Sequence, residues 1–417
     1  MRYRYATICT CRIKAVPDMR KHRHMTYYEL TFTGFVFAGV ACFVLMAAFN
    51  SQNNVLFWAL GIVLGTMVVS AILGDMLLRH LEVRRSVGDH AVAGEPMEVH
   101  YRLINHKILW PSCAIRVTEA RFLGALSVIP EGYCLHLGPR QTTLVLTHLV
   151  PTHRGMIELR EQRLCCSFPF GFLNRAVHLR APLRIVVFPR IGMLNRELLA
   201  RSRTFASGGS TTTPRRGGSD EFFGLREYQS GDSIRSIHWR RSAHTGQLMV
   251  KEMTTDTPPT IVVALDLRRW ADTPNGPDLA ERAIELAAAW ICRGLMDHFS
   301  VGLLICGYSL PTPTLITAGR SQRQILLEAL ATIDLAAIKP GTDAAASPPL
   351  EHASRKAEYV VITLAEKTVA LDMVPAGCNY TSLAMDDPES QYWLYFPAQP
   401  GPSAAMAQAV ESVGVFT

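Results

Sequence analysis

The chain has 417 residues, 48% of them hydrophobic and 18% charged, with a formal net charge of +7 at pH 7. That length exceeds one small core and fits about two or three domains, and the composition excludes a disordered, collagen-like or coiled-coil chain. The excess charge is local: residues 1–24 carry seven Lys/Arg against Asp18, a net +6 that leaves the rest of the chain nearly neutral, so the balance does not describe a nucleic-acid-binding body.

Residues 30–49 form a run of twenty without a charge, and residues 55–74 form another. At 1.5 Å per residue each helix spans about 30 Å, the thickness of a bilayer's hydrocarbon core. The polar, uncharged residues 50–54 between them make a tight turn, and Tyr27, Tyr28 and Trp58 fall near the ends, where amphipathic rings prefer the interface. The spacing predicts a transmembrane helical hairpin rather than two buried helices of a soluble core or a cleaved signal peptide. The basic tail before it, and Arg79, Arg84 and Arg85 after it, put both ends in the cytoplasm by the positive-inside rule. If Met25 is the start, the arginines after the second run still give that orientation.

Residues 86–190 read as strands. Residues 97–103 alternate apolar and polar with period two, and 114–118, 142–150 and 156–159 are further candidates, separated by turn residues such as Gly94, Asn105, Pro111, Gly132 and Pro151. Short strands at this spacing predict a β-sandwich of immunoglobulin or fibronectin type. Residues 167–172 are a tight turn expected to carry its phenylalanines into the core, and 183–189 an exit strand. Residues 199–220 are loop-like. Their glycines beside arginines lack the GxxxxGK[ST] pattern and a feeding strand, so no phosphate loop is expected.

From residue 260 strands and helices alternate. Residues 261–265, 301–306 and 359–364 are continuous apolar runs, as buried parallel strands are. Residues 278–298 form a helix with Leu279, Ile284, Ala287, Ala288 and Ile291 on one face. Residues 320–334 form another, with Ile325, Leu326, Leu330 and Ile333 inward, and 392–396 an edge strand. This is an α/β, doubly wound parallel sheet. The organisation read from the chain is a basic tail (1–27), a hairpin (28–80), a β-sandwich (86–190), a connector (191–259) and an α/β domain (260–417).

Residues 217–252 are a dense polar knot with aromatic inserts. Arg226, Arg235, Arg240 and Arg241 have Glu227 and Asp232 as partners, Ser230-Gly231-Asp232 is a turn signal, and Trp239 follows at a distance that lets it fold back over the knot. Two readings stand side by side: a salt-bridged connector, and a partner-docking surface formed by Arg226, Glu227, Tyr228, Gly231, Asp232, Arg235 and Trp239.

The segment resembles the DUF58 family, named for a domain of unknown function. The resemblance is carried by Leu225-Arg226-Glu227-Tyr228, Gly231-Asp232, Arg235, Ile237-His238-Trp239, Ser242-Ala243 and Leu248-Met249-Val250. The Arg154-Gly155 turn, Phe168-Pro169-Phe170-Gly171 and Val187-Phe188-Pro189-Arg190 resemble upstream landmarks, so that the likeness runs over roughly residues 28–370. His244 stands where the family often has Arg. The resemblance implies two N-terminal spans in a bacterial inner membrane and a von Willebrand factor A-like domain. It also implies company with MoxR-type AAA+ ATPases and transglutaminase-like membrane proteins, but no known reaction. An adhesion-type metal site of an A domain needs DxSxS after the first strand. Here that strand ends Asp266-Leu267-Arg268-Arg269-Trp270, with both serines replaced, and Asp266 is more simply a partner of Arg268 or Arg269. No metal and no cofactor are expected.

The function expected from these readings is non-catalytic. It is that of a membrane-anchored cytoplasmic scaffold or adaptor, with the lipid bilayer and a MoxR-type ATPase as partners and nucleic acid not among them. Two alternatives are kept. One is a Cys-dependent enzyme using Cys165, Cys166 or Cys306, for which no ordered Cys/His motif is present. The other is a nucleic-acid-binding protein acting through residues 201–251.

Overall fold

The computed structural model describes residues 25–88, 90–202, 221–230, 232–254, 259–271, 273–306, 319–338, 357–364, 374–375 and 377–396. The basic tail with Cys9 and Cys11, Gly231, and most of the loop at 199–220 lie outside the described residues. The chain divides into two compact units, with the boundary between Arg190 and Ile191.

The first unit opens with strand β1 (Met25–Leu30), followed by helices α1 (Phe32–Ser51) and α2 (Asn54–Leu78). Thr31 caps α1, its Oγ1 accepting from the Gly34 amide, and Asn53 caps α2 through the Val55 amide. Both helices are long and apolar enough to cross a membrane. Each buries one narrow row of mostly small residues: Gly34, Ala41 and Ala48 on α1, and Ser70, Gly74 and Leu78 on α2.

Strands then follow: β2 (Leu81–Val87), β3 (His90–Val92), β4 (Met97–Asn105), β5 (Ser112–Leu123), β6 (Leu126–Val128), β7 (Glu131–Leu137), β8 (Thr142–Pro151), β9 (Gly155–Cys166) and β10 (Leu173–Phe188). One sheet runs β1-β10-β9-β5-β7, with β3 also on β10; the other runs β2-β4-β8-β6. Pairing is antiparallel except for β3 with β10. Inward residues of both sheets meet in one apolar core that includes Val83, Val99, Leu103, Leu149, Ile115, Val117, Leu159, Leu164, Ile185 and Val187.

Within that core lies a charge. The Arg85 guanidinium on β2 donates to Glu119 on β5 at 2.6 Å, with both side chains at most 1% exposed. It also donates to the carbonyls of Leu159 and Ala181, and the Tyr101 hydroxyl on β4 donates to Glu119 at 2.6 Å. Burial and the neighbouring Glu119 carboxylate push the Tyr101 hydroxyl's pKa up. Arg85 is thus not a free flanking cation. Its partners tie one sheet to the other.

The strands outnumber those read from the pattern: β2, β3, β6, β7 and the first half of β10 join them, and β1 takes residues assigned to the tail and hairpin. The 167–172 turn sends Phe172 inward, but Phe168 and Phe170 remain 42% and 49% exposed.

The second unit contains β11 (Met193–Leu194), α3 (Arg196–Arg201), β12 (Glu221–Glu227), α4 (Trp239–Thr245), β13 (Met249–Thr254), β14 (Thr260–Asp266), α5 (Gly276–Met296), β15 (Ser300–Cys306), α6 (Arg320–Ala331), β16 (Glu358–Thr363), β17 (Asn379–Ala384) and β18 (Leu394–Tyr395). A parallel sheet runs β15-β14-β16-β17. The chain enters it at β14, steps outward to β15 after α5, and crosses back to β16 after α6. β14, β15 and β16 are buried almost end to end, which explains their continuous apolar sequence. Helix α5 is buried through Leu286–Cys292 and fully covers Trp290. On α6 the inward residues are Leu326, Leu327 and Leu330. Ile325 points out at 46% exposure, because the 3.6-residue period turns it away once 326 and 330 face in, whereas Ile333 is buried as expected but lies just past the helix end. The segment read as an edge strand at 392–396 supplies β18, which pairs with β11 outside the parallel sheet. The sheet's fourth strand is β17, whose mixed burial hid it.

Candidate functional site

The polar knot folds as a hairpin. β12 and β13 pair antiparallel from Glu221 opposite Thr254 to Glu227 opposite Met249, and the chain between them makes a 3-10 turn (Ile234–Ser236) and the short helix α4. Ser242 ties that helix to the hairpin. Its Oγ accepts from the Met249 amide at 2.8 Å, and the His238 amide donates to the Met249 carbonyl. His238 Nδ1 caps α4 by accepting from the Arg241 amide, and Gly246 ends it at φ +72°, a left-handed position that suits glycine.

Of the cations available to Asp232, the fold selects Arg226. Its guanidinium grips the carboxylate with two hydrogen bonds, 2.7 Å to Oδ2 and 2.6 Å to Oδ1. The Gln229 amide donates to Oδ2 at 2.9 Å and the Asp232 amide returns a bond to the Gln229 carbonyl, so the carboxylate also closes the turn. The side chains of Arg226 and Asp232 are 23% and 13% exposed. The other expected members face solvent. Glu227 and Arg235 are exposed, as is Tyr228, and Trp239 stands 61% exposed at the start of α4 rather than folding back over the knot. Ile234 and Leu248 are exposed beside them in sequence, at 69% and 46%. The motif therefore divides into an inward clasp and an outward set of aromatic, aliphatic and cationic side chains.

A second polar spot lies at the carboxyl ends of the parallel strands. The register sets Asp266 opposite Cys306 on one side and Thr363 on the other. Asp266 is held by Arg268, which donates from Nε to Oδ1 at 3.0 Å and from a terminal nitrogen to Oδ2 at 2.9 Å, while the Arg268 amide also donates to Oδ1. Arg268 rather than Arg269 is the partner, and both carboxylate oxygens are engaged by it. Among the described residues no group of three or more His, Cys, Asp or Glu side chains is arranged to hold a metal ion.

The candidate thiols are enclosed. Cys165 and Cys166 are each 1% exposed and Cys306 2%. Burial raises the pKa of all three, and beside Asp266 the Cys306 thiol is pushed up to about 11. A thiol that stays protonated and inaccessible is a poor nucleophile.

Residues 224–373 match the family model described as "Protein of unknown function DUF58". The chain carries a DUF58-family region. It begins inside β12 and contains the Arg226–Asp232 clasp, Trp239, Asp266 and the first three strands of the parallel sheet. No curated protein matches the chain. Within the DUF58 region, sequence reasoning missed the parts played by Gln229 and Ser242, which act through backbone amides. It also missed the meeting of Asp266 with Cys306. That last pairing follows from the parallel register of β14 and β15, each seven residues long, which sets their last residues opposite one another.

Proposed function

We propose that this protein is a membrane-anchored, non-catalytic scaffold or adaptor at the cytoplasmic face of a bacterial inner membrane, with its DUF58 region offering a docking face to a protein partner. In this reading α1 and α2 cross the bilayer as a hairpin. The two antiparallel sheets are an immunoglobulin- or fibronectin-like sandwich, and the parallel sheet belongs to a von Willebrand factor A-like domain. Apolar helices with most of their side chains unburied support the anchor, as does the absence of charge in the turn between them. One apolar core shared by two sheets supports the sandwich.

The observation that carries the docking reading is the division of the motif. Arg226 and Asp232 are spent on holding the turn, whereas Tyr228, Arg235 and Trp239 are held out to solvent on the same hairpin. Exposed Trp, Tyr and Arg are the side chains from which interface anchors are drawn. The family resemblance supplies the partner: a MoxR-type AAA+ ATPase, with a transglutaminase-like membrane protein as a second. The test is co-purification of that ATPase with the full chain from membranes. Trp239→Ala with Arg235→Ala should abolish it while membrane association and thermal stability stay as they are. Unchanged co-purification by the double variant would remove the docking face.

The enzyme alternative is weakened by the enclosed thiols. The nucleic-acid alternative rests on exposed Arg235, Arg240 and Arg241, and on a loop that lies largely outside the described residues. DNA affinity that falls steeply with salt would revive it.

A further inference from the structure

Two loops of the β-rich unit leave large apolar side chains in the open, and both are tied to the same end of the helical hairpin. The first follows Lys107. Its ammonium donates to the carbonyls of Met76 and Leu77 in the last turn of α2, at 2.9 and 2.8 Å, and Ser112 Oγ donates to Leu77 as well. The His106 amide donates to the His80 carbonyl, and Asn105 holds the far side of the loop through the Trp110 carbonyl. Between these ties Ile108, Leu109 and Trp110 are 66%, 81% and 57% exposed.

The second loop is the phenylalanine turn at the start of α1. Thr31 Oγ1 donates to the carbonyls of Gly171 and Phe172, and the Thr31 amide donates to Phe172 at 3.1 Å. Phe37 of α1 stacks on Phe172 at 4.1 Å between ring centroids, and Phe172 stacks on the exposed Phe170 at 5.5 Å. An aromatic ladder thus runs from the helix down into the loop, where Phe168 is exposed too.

The level of these loops along the hairpin is fixed by charge. Asp75 is the sole charged residue of α2, and it is paired with Arg79 and with Arg175 of β10. A bilayer's hydrocarbon must end about there, and the loops attach to Thr31, Met76, Leu77 and His80, at that same level. Trp and Phe beside Lys and Arg at the ends of apolar helices is the composition of a headgroup layer, where one end of a side chain meets acyl chain and the other meets water.

We propose that Ile108, Leu109, Trp110, Phe168 and Phe170 form a collar that enters the interfacial layer of the lipid bilayer beside the helix ends, so that the β-rich unit lies against the membrane instead of hanging from a linker. This rests on the reading of α1 and α2 as membrane spans. The occupant is lipid because both loops are fastened to the helix ends at the level where the hairpin's apolar surface stops, by the Phe37–Phe172–Phe170 ring stack on one side and by Lys107 and Ser112 on the carbonyls of Met76 and Leu77 on the other.

Depth-dependent fluorescence quenching tests it. The full chain, its Trp110→Phe variant and its Trp58→Phe variant are reconstituted in phosphatidylcholine vesicles. The vesicles are unlabelled, or brominated either close to the carbonyl or close to the chain end. Subtracting each variant's emission from that of the unaltered chain isolates one indole. Trp58, 77% exposed on the first turns of α2, reports insertion of the hairpin itself. The expected result is loss of most of the Trp110 emission with bromine near the carbonyl and much less loss with bromine near the chain end. Quenching of Trp58 with Trp110 untouched by either lipid overturns the collar, leaves the anchor standing and assigns the patch to a protein. If Trp58 is not quenched either, the spanning reading falls and the collar with it. As a second handle, Leu109→Glu with Phe170→Glu should remove the quenching of Trp110 while that of Trp58 persists. Quenching that survives both substitutions overturns the assignment of these residues.

Discussion

Replacing Asp232 by alanine removes the acceptor for both Arg226 hydrogen bonds and for the Gln229 amide in one step. A fully buried pair that loses one member costs about 3–5 kcal/mol, and an exposed pair about 0–1. The clasp lies between these limits, at 23% and 13% side-chain exposure, and has good bidentate geometry. A loss of about 2–4 kcal/mol is expected, and it should appear first as local opening, because the clasp closes the turn between β12 and β13. Hydrogen exchange of the paired amides of β12 and β13 in the full chain is the suited assay. At 1.36 kcal/mol per tenfold, protection should fall by about 30-fold to about 1000-fold. Glu227→Ala, at an exposed neighbour, should leave it almost unchanged. Arg226→Ala together with Asp232→Ala should be less than additive, since either change alone dissolves the same contact. A fall of less than about fivefold would mean that solvent screens the pair, and the inward clasp would lose its claim to be what shapes the motif.

Glu119→Gln should destabilise the chain by about 3–5 kcal/mol in chemical denaturation, since it leaves Arg85 charged inside the core, whereas Arg85→Met combined with Glu119→Leu should recover much of that loss. Gly34→Ala places a methyl 2.0 Å from the Phe172 carbonyl oxygen and should cost about 1–3 kcal/mol; easier proteolysis at the 167–172 turn would report it, and an unaltered digestion pattern would argue against tight docking of α1 there. Cys165, Cys166 and Cys306 should react with thiol reagents after denaturation and not before. Because the folded state holds the Cys306 proton up to about 11 against an ordinary 9.0, the unfolded chain gives up its proton first as pH rises. Stability from this group is therefore complete below about pH 9 and lost towards pH 11, by about 1–3 kcal/mol, and Cys306→Ala should flatten that part of the alkaline decline.

What could be read in advance was what repeats locally. Two uncharged runs gave the helices to within a few residues, and continuous apolar runs gave β14, β15 and β16 because strands buried on both faces have no polar side to show. What could not be read depends on distant partners. Arg85 looks like any juxtamembrane cation until Glu119 is brought opposite it from another sheet. β11 is two residues long and exists because β18 comes back to it. In the motif, the choices for Asp232 narrowed to a few arginines by composition, but the selection of Arg226 needed the hairpin register. Phe168 and Phe170 carry the hydrophobicity of core residues, and nothing local distinguishes a ring meant for the interior from one left at a surface.

The pairing of β1 with β10 has a consequence for how this molecule is made. Met25 lies opposite His178 and Leu30 opposite Leu173, so a ladder of backbone hydrogen bonds stitches chain that precedes both helices to chain that follows them. A sheet cannot close across a bilayer. If the helices are membrane spans, the ladder demands an even number of crossings whatever the flanking charges prefer, and a variant with a single span deleted must forfeit the pairing of β1 with β10 in either orientation. The ladder also imposes an order of assembly. β1 leaves the ribosome first yet has no edge to join until β10 has been made, so it must wait at the membrane surface while the whole hairpin inserts. The last stitch of the sheet is then made by its earliest strand, which draws the two helix ends together only after insertion is complete.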